Sequence, residues 1–246
     1  MSELAGKVAL ITGGSRGIGA ATARRLAQDG ADVALTYVSS PDRADAVVKE
    51  VQALGRRGVA IAADNTDADA VAAAVERAAA ELGRLDILVN NAGVFPYGPF
   101  EEVKLTDFDA TMAIHARAVF VATQTALRHM GPGSRIISIG SNLALRVPSP
   151  GITLYSMSKS ALIGFTQGLA RDLGPRGITV NLVHPGSTDT DMNPADGEGA
   201  EHEIALTALG RYATADEVAA TVAFLAGEGA GYITGTSITV DGGVNA

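Results

Sequence analysis

Short apolar runs rich in β-branched residues alternate along the chain with longer Ala-rich stretches whose apolar residues recur at helical spacing. Most of the short runs are apolar at consecutive positions, which is typical of parallel strands covered on both faces. The predicted strands lie at 8–12, 32–37, 59–62, 87–89, 135–139, 179–183 and 237–240. The predicted helices lie at 18–29, 42–54, 67–82, 107–130, 153–173 and 215–226. This alternation predicts a doubly wound α/β fold, with a seven-stranded, mostly parallel sheet and helices on both of its faces.

The alternation of predicted strands and helices continues along the whole chain, with one irregular segment, which indicates a single domain. No repeat, low-complexity tract or linker divides the chain, so we expect a single domain over residues 1–246. The stretch 186–199 is rich in Asp, Gly, Asn and Pro and follows the carboxyl end of a predicted strand, where such folds bind ligands. We predict a substrate lid near 187–209, the alternative being a plain surface loop.

Composition excludes several classes of protein. The chain is 47% hydrophobic, enough for a large core, and it has no cysteine, which excludes disulfides and thiolate chemistry. A net charge of −8 argues against nucleic acid or an anionic membrane as a partner. The four histidines show no ligand spacing, so no metal site is expected. With no secretory signal and no apolar run of about 20 residues, we expect a cytoplasmic protein.

A glycine-rich turn follows the first predicted strand and opens a helix. Its residues are Gly13, Gly14, Ser15, Arg16, Gly17, Ile18 and Gly19. Gly13, Gly17 and Gly19 let the backbone turn tightly and approach a pyrophosphate, while the helix N-terminus offers N–H donors and a positive dipole. In this position the turn predicts a dinucleotide site.

The spacing Thr-Gly-x-x-x-Gly-x-Gly resembles that of the short-chain dehydrogenase/reductase family. Further matches in the same order are Asn90-Asn91-Ala92-Gly93, Ser141, Tyr155-Ser156-Met157-Ser158-Lys159, Pro185-Gly186 and Val240-Asp241-Gly242-Gly243. The resemblance covers nearly the whole chain and is strongest to the 3-oxoacyl-[acyl-carrier-protein] reductase branch. It implies a Rossmann-type NAD(P)-binding domain.

The end of the second strand bears on the choice of cofactor. An acid there would bind the adenosine ribose and repel a 2′-phosphate, but Tyr37 stands where NAD-using members carry Asp. Arg16 can reach a phosphate and Ser39 can donate to one, so NADP(H) is favoured over NAD(H), whereas Arg43 is interpreted as solvated helix surface. The resemblance implies that Asp64, beside Asn65, contacts the adenine.

Tyr155 and Lys159 stand four residues apart, on the same face of a predicted helix. A free tyrosine has a pKa of about 10, and a nearby ammonium is expected to lower it. The resemblance implies that Tyr155 protonates the substrate oxygen, that Lys159 tunes Tyr155 and binds the nicotinamide ribose, and that Ser141 donates to the substrate oxygen. Ser138, inside an apolar strand, is expected to be a buried residue satisfied by backbone.

Other segments complete the cofactor site that the resemblance implies. Asn90 is expected to tie neighbouring strands together. The remaining expected contacts of the nicotinamide half are Asn91, Ala92, Gly93, Pro185, Gly186, Thr188 and Thr190.

His115 departs from the family, which has Asn at this position. We include it among the catalytic candidates, because an imidazole near neutral pKa can pass protons. The alternatives are a hydrogen-bonded core histidine with altered helix geometry, or impaired catalysis.

These residues predict an NADPH-dependent carbonyl reductase, running in reverse as an alcohol dehydrogenase, on a 3-oxoacyl thioester, a keto ester or a small ketone. The acidic lid region weakens the case for an acyl-carrier-protein substrate. The alternative is a non-catalytic NADP(H)-binding regulatory protein on the same fold. The family also implies a homotetramer, or a homodimer, formed through the helices at 107–130 and 153–173 and the C-terminal strand.

Overall fold

The computed structural model describes residues 3–246, in which seven strands form one sheet. The strands are β1 Val8–Ile11, β2 Asp32–Tyr37, β3 Gly58–Ala62, β4 Ile87–Asn90, β5 Arg135–Ile139, β6 Thr179–Pro185 and β9 Ser237–Val240. Their order is β3-β2-β1-β4-β5-β6-β9, and every pairing is parallel. A separate two-stranded parallel ribbon joins β7 Thr188–Asp189 to β8 Ala213–Thr214.

Eight α-helices connect and cover these strands in residues 3–246. They are α1 Gly17–Gln28, α2 Pro41–Ala53, α3 Ala68–Leu82, α4 Leu105–Met112, α5 Ala118–Ala126, α6 Thr153–Leu173, α7 Ala200–Leu206 and α8 Ala215–Ala226. Buried residues of α1, α2 and α8 pack on one face of the sheet, and those of α3, α5 and α6 pack on the other. The predicted doubly wound α/β fold is confirmed. Within residues 3–246, no helix has both the length and the apolar character to cross a bilayer.

The central strands are apolar at consecutive positions because both sheet faces are covered. In β1, Ala9 and Ile11 belong to the core under α1, whereas Val8 and Leu10 belong to the core under α3. Successive side chains of a strand point to opposite faces, so a strand between two helix layers needs an apolar residue at every position.

The predicted helix at 107–130 is wrong in one respect. α4 ends at Met112, a π-helical turn spans Ala113–Arg117, and α5 begins at Ala118, whose N–H bonds the carbonyl of Ala113. Such single π turns are inserted where the backbone must be re-aimed, often at functional sites. Here the turn carries His115. The predicted lid region also contains a short helix, α7, that the pattern did not indicate.

The strand order reverses between β1 and β4, from which the chain winds outward in both directions. Loops leaving the carboxyl ends of these two strands therefore diverge and leave a crevice between them. The glycine turn follows β1, and Asn91 follows β4, so both predicted segments lie at this crevice.

Candidate active site

A cleft of about 930 Å³ lies at the carboxyl ends of the strands. The glycine turn lines one end of it, and Tyr155 and Lys159 line the other. Every site residue predicted from the sequence lines this cleft except His115, which is buried behind it. The fold thus brings together site residues that are up to 177 positions apart in the chain, from Gly13 to Thr190.

The glycine turn has the shape that an anion site requires. Gly13 and Gly17 have φ of 65° and 51°, in the left-handed region that favours glycine. A Cβ on Gly19 would lie 2.4 Å from the carbonyl oxygen of Gly13. Arg16, the N-cap of α1, makes no side-chain capping bond, and the first turn has no acid. The N–H groups in the first turn of α1 are therefore available to bind a pyrophosphate, so this end of the cleft fits a dinucleotide cofactor.

Asn91 braces this turn from the neighbouring strand. Its Nδ2 donates to the carbonyls of Thr12 and Gly13 at 2.9 and 3.0 Å, and its backbone N–H donates to Thr12 Oγ1 at 2.9 Å. On the other side, the N–H of Gly13 donates to Thr36 Oγ1 at 3.0 Å. Sequence reasoning missed Thr12 and Thr36, because a threonine in a strand gives no local signal of such a cross-strand bond.

Asn90 ties two strands together, as the sequence analysis expected. Its Nδ2 donates to Ser138 Oγ on β5 at 3.3 Å and to Thr123 Oγ1 on α5 at 3.4 Å. Ser138 is buried, but its partner is this side chain and not the backbone expected from the sequence. Neither residue lines the cleft.

The end of the cleft beside β2 carries positive charge and no acid from that strand. Tyr37 and Ser39 line it together with Arg16. Arg43, at the start of α2, forms an ion pair with Asp191, beyond β7. Arg43 is 55% exposed on the surface of α2, as interpreted from the sequence, and its guanidinium also bridges α2 to the predicted lid segment.

Asp64 and Asn65 line the same end of the cleft, after β3. The carboxylate of Asp64 accepts from the N–H and hydroxyl of Thr66 at 2.8 and 2.9 Å. Asp67, not Asp64, caps α3, accepting from the N–H groups of Asp69 and Ala70. Asp64 thus lines the cleft without capping the helix.

Burial dominates the ionisable groups at the other end of the cleft. Lys159 is buried on α6, its Nζ donates to the carbonyl of Ile139 at 2.9 Å, and burial lowers its pKa to about 8. Burial also raises the pKa of Tyr155, although a hydrogen bond with Ser141 acts in the opposite direction. From the sequence, Lys159 is expected to lower the pKa of Tyr155, but with the protein's own groups alone that pKa is raised. Lys159 Nζ lies 5.9 Å from the centroid of the Tyr155 ring.

His115 has both ring nitrogens engaged. Nε2 accepts from the backbone N–H of Val94 at 2.9 Å, which leaves the proton on Nδ1. Nδ1 lies 2.8 Å from Ser158 Oγ, whose hydroxyl donates to the carbonyl of Tyr155 at 2.7 Å. Burial and the charge of Lys159 lower the pKa of His115 to about 3. The geometry matches a neutral, hydrogen-bonded core histidine at an altered helix turn, one of the three alternatives.

An aromatic wall beside Tyr155 escaped the sequence analysis. The rings of Phe95 and Tyr155 meet edge to face with centroids 4.8 Å apart, and Tyr97 stacks on Phe95 at 6.4 Å. A Cβ on Gly151 would lie 2.9 Å from the ring of Tyr97, so this glycine leaves room for the wall. The signal available was the pair of aromatic residues soon after Asn90-Asn91-Ala92-Gly93.

Comparisons with known proteins agree with this geometry. The family described as enoyl-(acyl carrier protein) reductase matches residues 13–245. A crystal structure of a short chain dehydrogenase from Burkholderia cenocepacia J2315, in complex with NADP, is 61% identical with a TM-score of 0.98, over 99% of this chain and 100% of that chain. The chain belongs to the short-chain dehydrogenase/reductase family.

Two other similar proteins carry names that describe different activities, ligand binding in one and 3-oxoacyl reduction in the other. The cyclic-di-GMP-binding biofilm dispersal mediator protein of Escherichia coli K12 is 44% identical to this short-chain dehydrogenase/reductase over 246 residues, 100% of both chains. The 3-oxoacyl-[acyl-carrier-protein] reductase of Synechocystis is 40% identical over 247 residues, 99% of both chains. The family resemblance drawn from the motifs is confirmed.

Proposed function

We propose that the protein is an NADP(H)-dependent carbonyl reductase that runs in reverse as an alcohol dehydrogenase. One observation carries the proposal. At one end of a single cleft, Tyr155 meets Ser141 beside buried Lys159, and at the other end a helix N-terminus is open to an anion. A proton donor, a hydrogen-bond donor and a cation next to a dinucleotide site are the groups that ketone reduction needs.

NADP(H) fits the charge of the cleft. The first turn of α1 would hold the pyrophosphate, and Arg16 would hold the 2′-phosphate, because no acid of β2 lines the cleft to repel it. The NADP bound by the Burkholderia relative supports the same choice. Asp64 would accept from the adenine amino group, and Thr188 and Thr190 would contact the carboxamide. When bound, the cofactor supplies the hydride.

Three side chains perform the proton chemistry in this proposal. Ser141 donates a hydrogen bond to the substrate oxygen, where negative charge develops. Tyr155 gives its proton to that oxygen as the ketone becomes an alcohol. Lys159, whose pKa of about 8 keeps most molecules charged at neutral pH, stabilises the phenolate that Tyr155 becomes.

His115 enters the proposal as a positioning residue. It joins the segment after β4, through Val94, to the second turn of α6, through Ser158. Because Ser158 in turn bonds the carbonyl of Tyr155, the imidazole supports the backbone from which the proton donor projects. A relay through a charged imidazole is disfavoured by the pKa of about 3.

The segment 187–209 is proposed as the substrate lid. Met192 and Leu206 line the cleft from this segment and are 51% and 41% exposed, opposite an aromatic wall that is exposed as well. Its acids, Glu198 and Glu203, also line the cleft. An apolar, acid-rimmed mouth suits a small ketone or keto ester better than a thioester on an acidic carrier protein.

The proposal is tested by following loss of NADPH absorbance, and separately NADH absorbance, with keto esters, small ketones and 3-oxoacyl thioesters. We expect turnover with NADPH, at a kcat/KM well above that with NADH. Turnover with NADH alone would overturn the cofactor assignment but leave the reaction standing. Tight binding of NADPH without turnover of any carbonyl would overturn the reaction.

A regulatory binding protein is the second candidate, favoured by the name of the Escherichia coli relative, which matches over the full chain. The cleft offers Arg16 and the N-terminus of α1 to a ligand with two phosphates. Titration calorimetry with cyclic di-GMP, with and without saturating NADPH, tests this candidate. Binding that NADPH abolishes would place that ligand in the cofactor cleft, and absence of binding would remove the candidate.

We also propose a cytoplasmic homotetramer. Phe108 on α4, Phe120 on α5 and Met157 on α6 are 37%, 52% and 45% exposed, more apolar surface than helices facing water need. Strand β9 lies at one edge of the sheet, where another subunit can cover it. These are the elements through which the family resemblance predicts assembly, and a homodimer would cover only one of the two surfaces.

A further inference from the structure

His184 is a fully buried polar residue that the reaction scheme does not use. It is the sixth residue of β6, with none of its surface exposed to solvent. Gly140 lies beside it at the end of β5, and its N–H donates to the carbonyl of Val183 at 2.7 Å. A Cβ on Gly140 would lie 2.6 Å from His184 Nδ1, so the imidazole occupies the space of a side chain at residue 140.

The ring of His184 has one bond, and it is made to the candidate catalytic serine. Nδ1 accepts from the backbone N–H of Ser141 at 3.1 Å. Accepting at Nδ1 requires the neutral tautomer with its proton on Nε2. Burial, together with the charge of Lys159, lowers the pKa of His184 and favours the same neutral form.

Nε2 of His184 has no hydrogen-bond partner among the atoms of residues 3–246. A buried donor without a partner destabilises a protein, and an apolar residue of similar size would avoid that cost. The polar ring is therefore not explained by filling space. The one contact that a leucine would lose is the acceptor for Ser141.

Ser141 is thus held at two points. His184 fixes its backbone N–H, and its Oγ accepts from the N–H of Leu143 at 3.2 Å in the turn that follows. The hydroxyl donates a long bond to Asn142 Oδ1, at 3.5 Å, and lies close enough to Tyr155 to oppose the upward shift of that residue's pKa. We propose that His184 is a positioning residue that aims the Ser141 hydroxyl at the substrate oxygen; this rests on the proposed function of Ser141.

The test compares two replacements of different chemistry. His184→Leu keeps the bulk and removes the acceptor, whereas His184→Asn places an amide oxygen where Nδ1 lies. We expect His184→Leu to lower kcat about tenfold or more with the Kd for NADPH unchanged, because small misplacements of reacting groups carry penalties of this order. His184→Asn is expected to restore most of kcat. Equal losses in the two variants would overturn the proposal.

A double-mutant cycle separates positioning from a general structural effect. If His184 acts only through Ser141, then His184→Leu has little further effect on kcat in a Ser141→Ala background. The same tenfold loss in that background would overturn the proposal. Thermal unfolding midpoints of all variants show whether each one is folded.

Hydrogen exchange provides a readout that needs no turnover. The Ser141 amide is expected to exchange faster in His184→Leu than in wild type or His184→Asn, while the amides of the preceding strand, β5, are unchanged. Unchanged exchange at Ser141 would overturn the positioning role by itself. If exchange behaves as expected but no ketone is reduced by the wild type, the proposed reaction fails and the His184–Ser141 contact stands.

Discussion

At the scale of single residues, burial decides the charge states of the active site. Lys159 has a pKa of about 8 because its ammonium lies away from water with one carbonyl, that of Ile139, as its acceptor. Burial likewise raises the pKa of Tyr155. Burial thus disfavours the charged form of each group, so the phenolate that Tyr155 becomes depends on the nearby charge of Lys159.

Replacing Tyr155 by Phe removes the proton donor and little else. We expect kcat to fall about 100-fold or more, the range typical of a general acid, with the Kd for NADPH unchanged. Steady-state kinetics and fluorescence titration measure the two quantities. Tyr232→Phe is the matched control, since Tyr232 is fully exposed. Full activity in Tyr155→Phe would contradict the assigned role.

The buried charge of Lys159 makes a prediction about stability and pH. Below about pH 8 the lysine is charged in both the folded and the unfolded state, so the folded state bears the full penalty of burial. As pH rises from about 8 towards its ordinary pKa of 10.5, only the folded state loses the proton, and this penalty disappears.

The free energy of unfolding of wild type, relative to Lys159→Met, is therefore expected to rise by about 2 kcal/mol between pH 7.5 and pH 10. Urea denaturation at the two pH values measures it. Lys49→Met, on the exposed side of α2, is the control and is expected to show no such rise. A difference between wild type and Lys159→Met that does not rise between these pH values would refute the depressed pKa.

At the scale of elements, three segments meet around one imidazole. The π turn between α4 and α5 carries His115, the loop after β4 supplies the N–H of Val94, and α6 supplies Ser158. Gly93 lies between this imidazole and the lysine, since a Cβ there would be 3.1 Å from His115 Nε2 and 3.4 Å from Lys159 Nζ. A change of residue 115 would therefore alter contacts with the loop after β4 and with α6.

His115→Ala is expected to lower kcat about tenfold, because the N–H of Val94 loses its acceptor and Ser158 Oγ loses the N–H that donates to it. His115→Asn is expected to retain most activity. Neither change should remove an inflection from the pH profile of kcat/KM between pH 5 and 8, since His115 has a pKa of about 3. His129→Ala, which removes a surface contact to Glu76, is the control. Loss of an inflection in both variants at 115 would instead indicate a proton relay.

At the scale of the whole molecule, the parallel sheet gathers the site. Every strand of the main sheet runs in the same direction, so residues after β1, β4, β5 and β6 meet at one edge. The ion pair of Arg43 with Asp191 spans this edge from α2 to the lid segment. The exposed apolar residues proposed for assembly, Phe108, Phe120 and Met157, lie away from the cleft, on α4, α5 and α6.

The proposed homotetramer has a mass of four times 25.0 kDa, which light scattering on a sizing column measures. Phe120→Asp places a charge in the proposed contact, so it is expected to lower this mass. Leu54→Asp, at an exposed apolar residue after α2, is the control and is expected to leave the mass unchanged. A wild-type mass of one subunit would refute the assembly.

Local chemistry explains why the fold was predictable from the sequence. A strand that is apolar at every position needs a helix layer on each face, so the runs themselves indicate a covered sheet. The positive φ of Gly13 and Gly17 favours glycine, so the turn is visible in the sequence as well. The interrupted helix at 113–117 was not predictable, because Ala-rich sequence suits an α-helix and a π turn alike. Within the turn, His115 contacts Val94 and Ser158 on two other elements, and a local pattern does not encode such contacts.

The fold class, the family and the spacing of Ser141, Tyr155 and Lys159 could all be read from the order of amino acids. Tertiary structure alone decided the neutral state of His115, the ion pair of Arg43, the aromatic wall at Phe95 and the bond from Ser141 to His184. The physical reason is the same for each of the latter. They depend on burial and on contacts between residues far apart in the chain, such as the 148 positions from Arg43 to Asp191, and no local pattern encodes those.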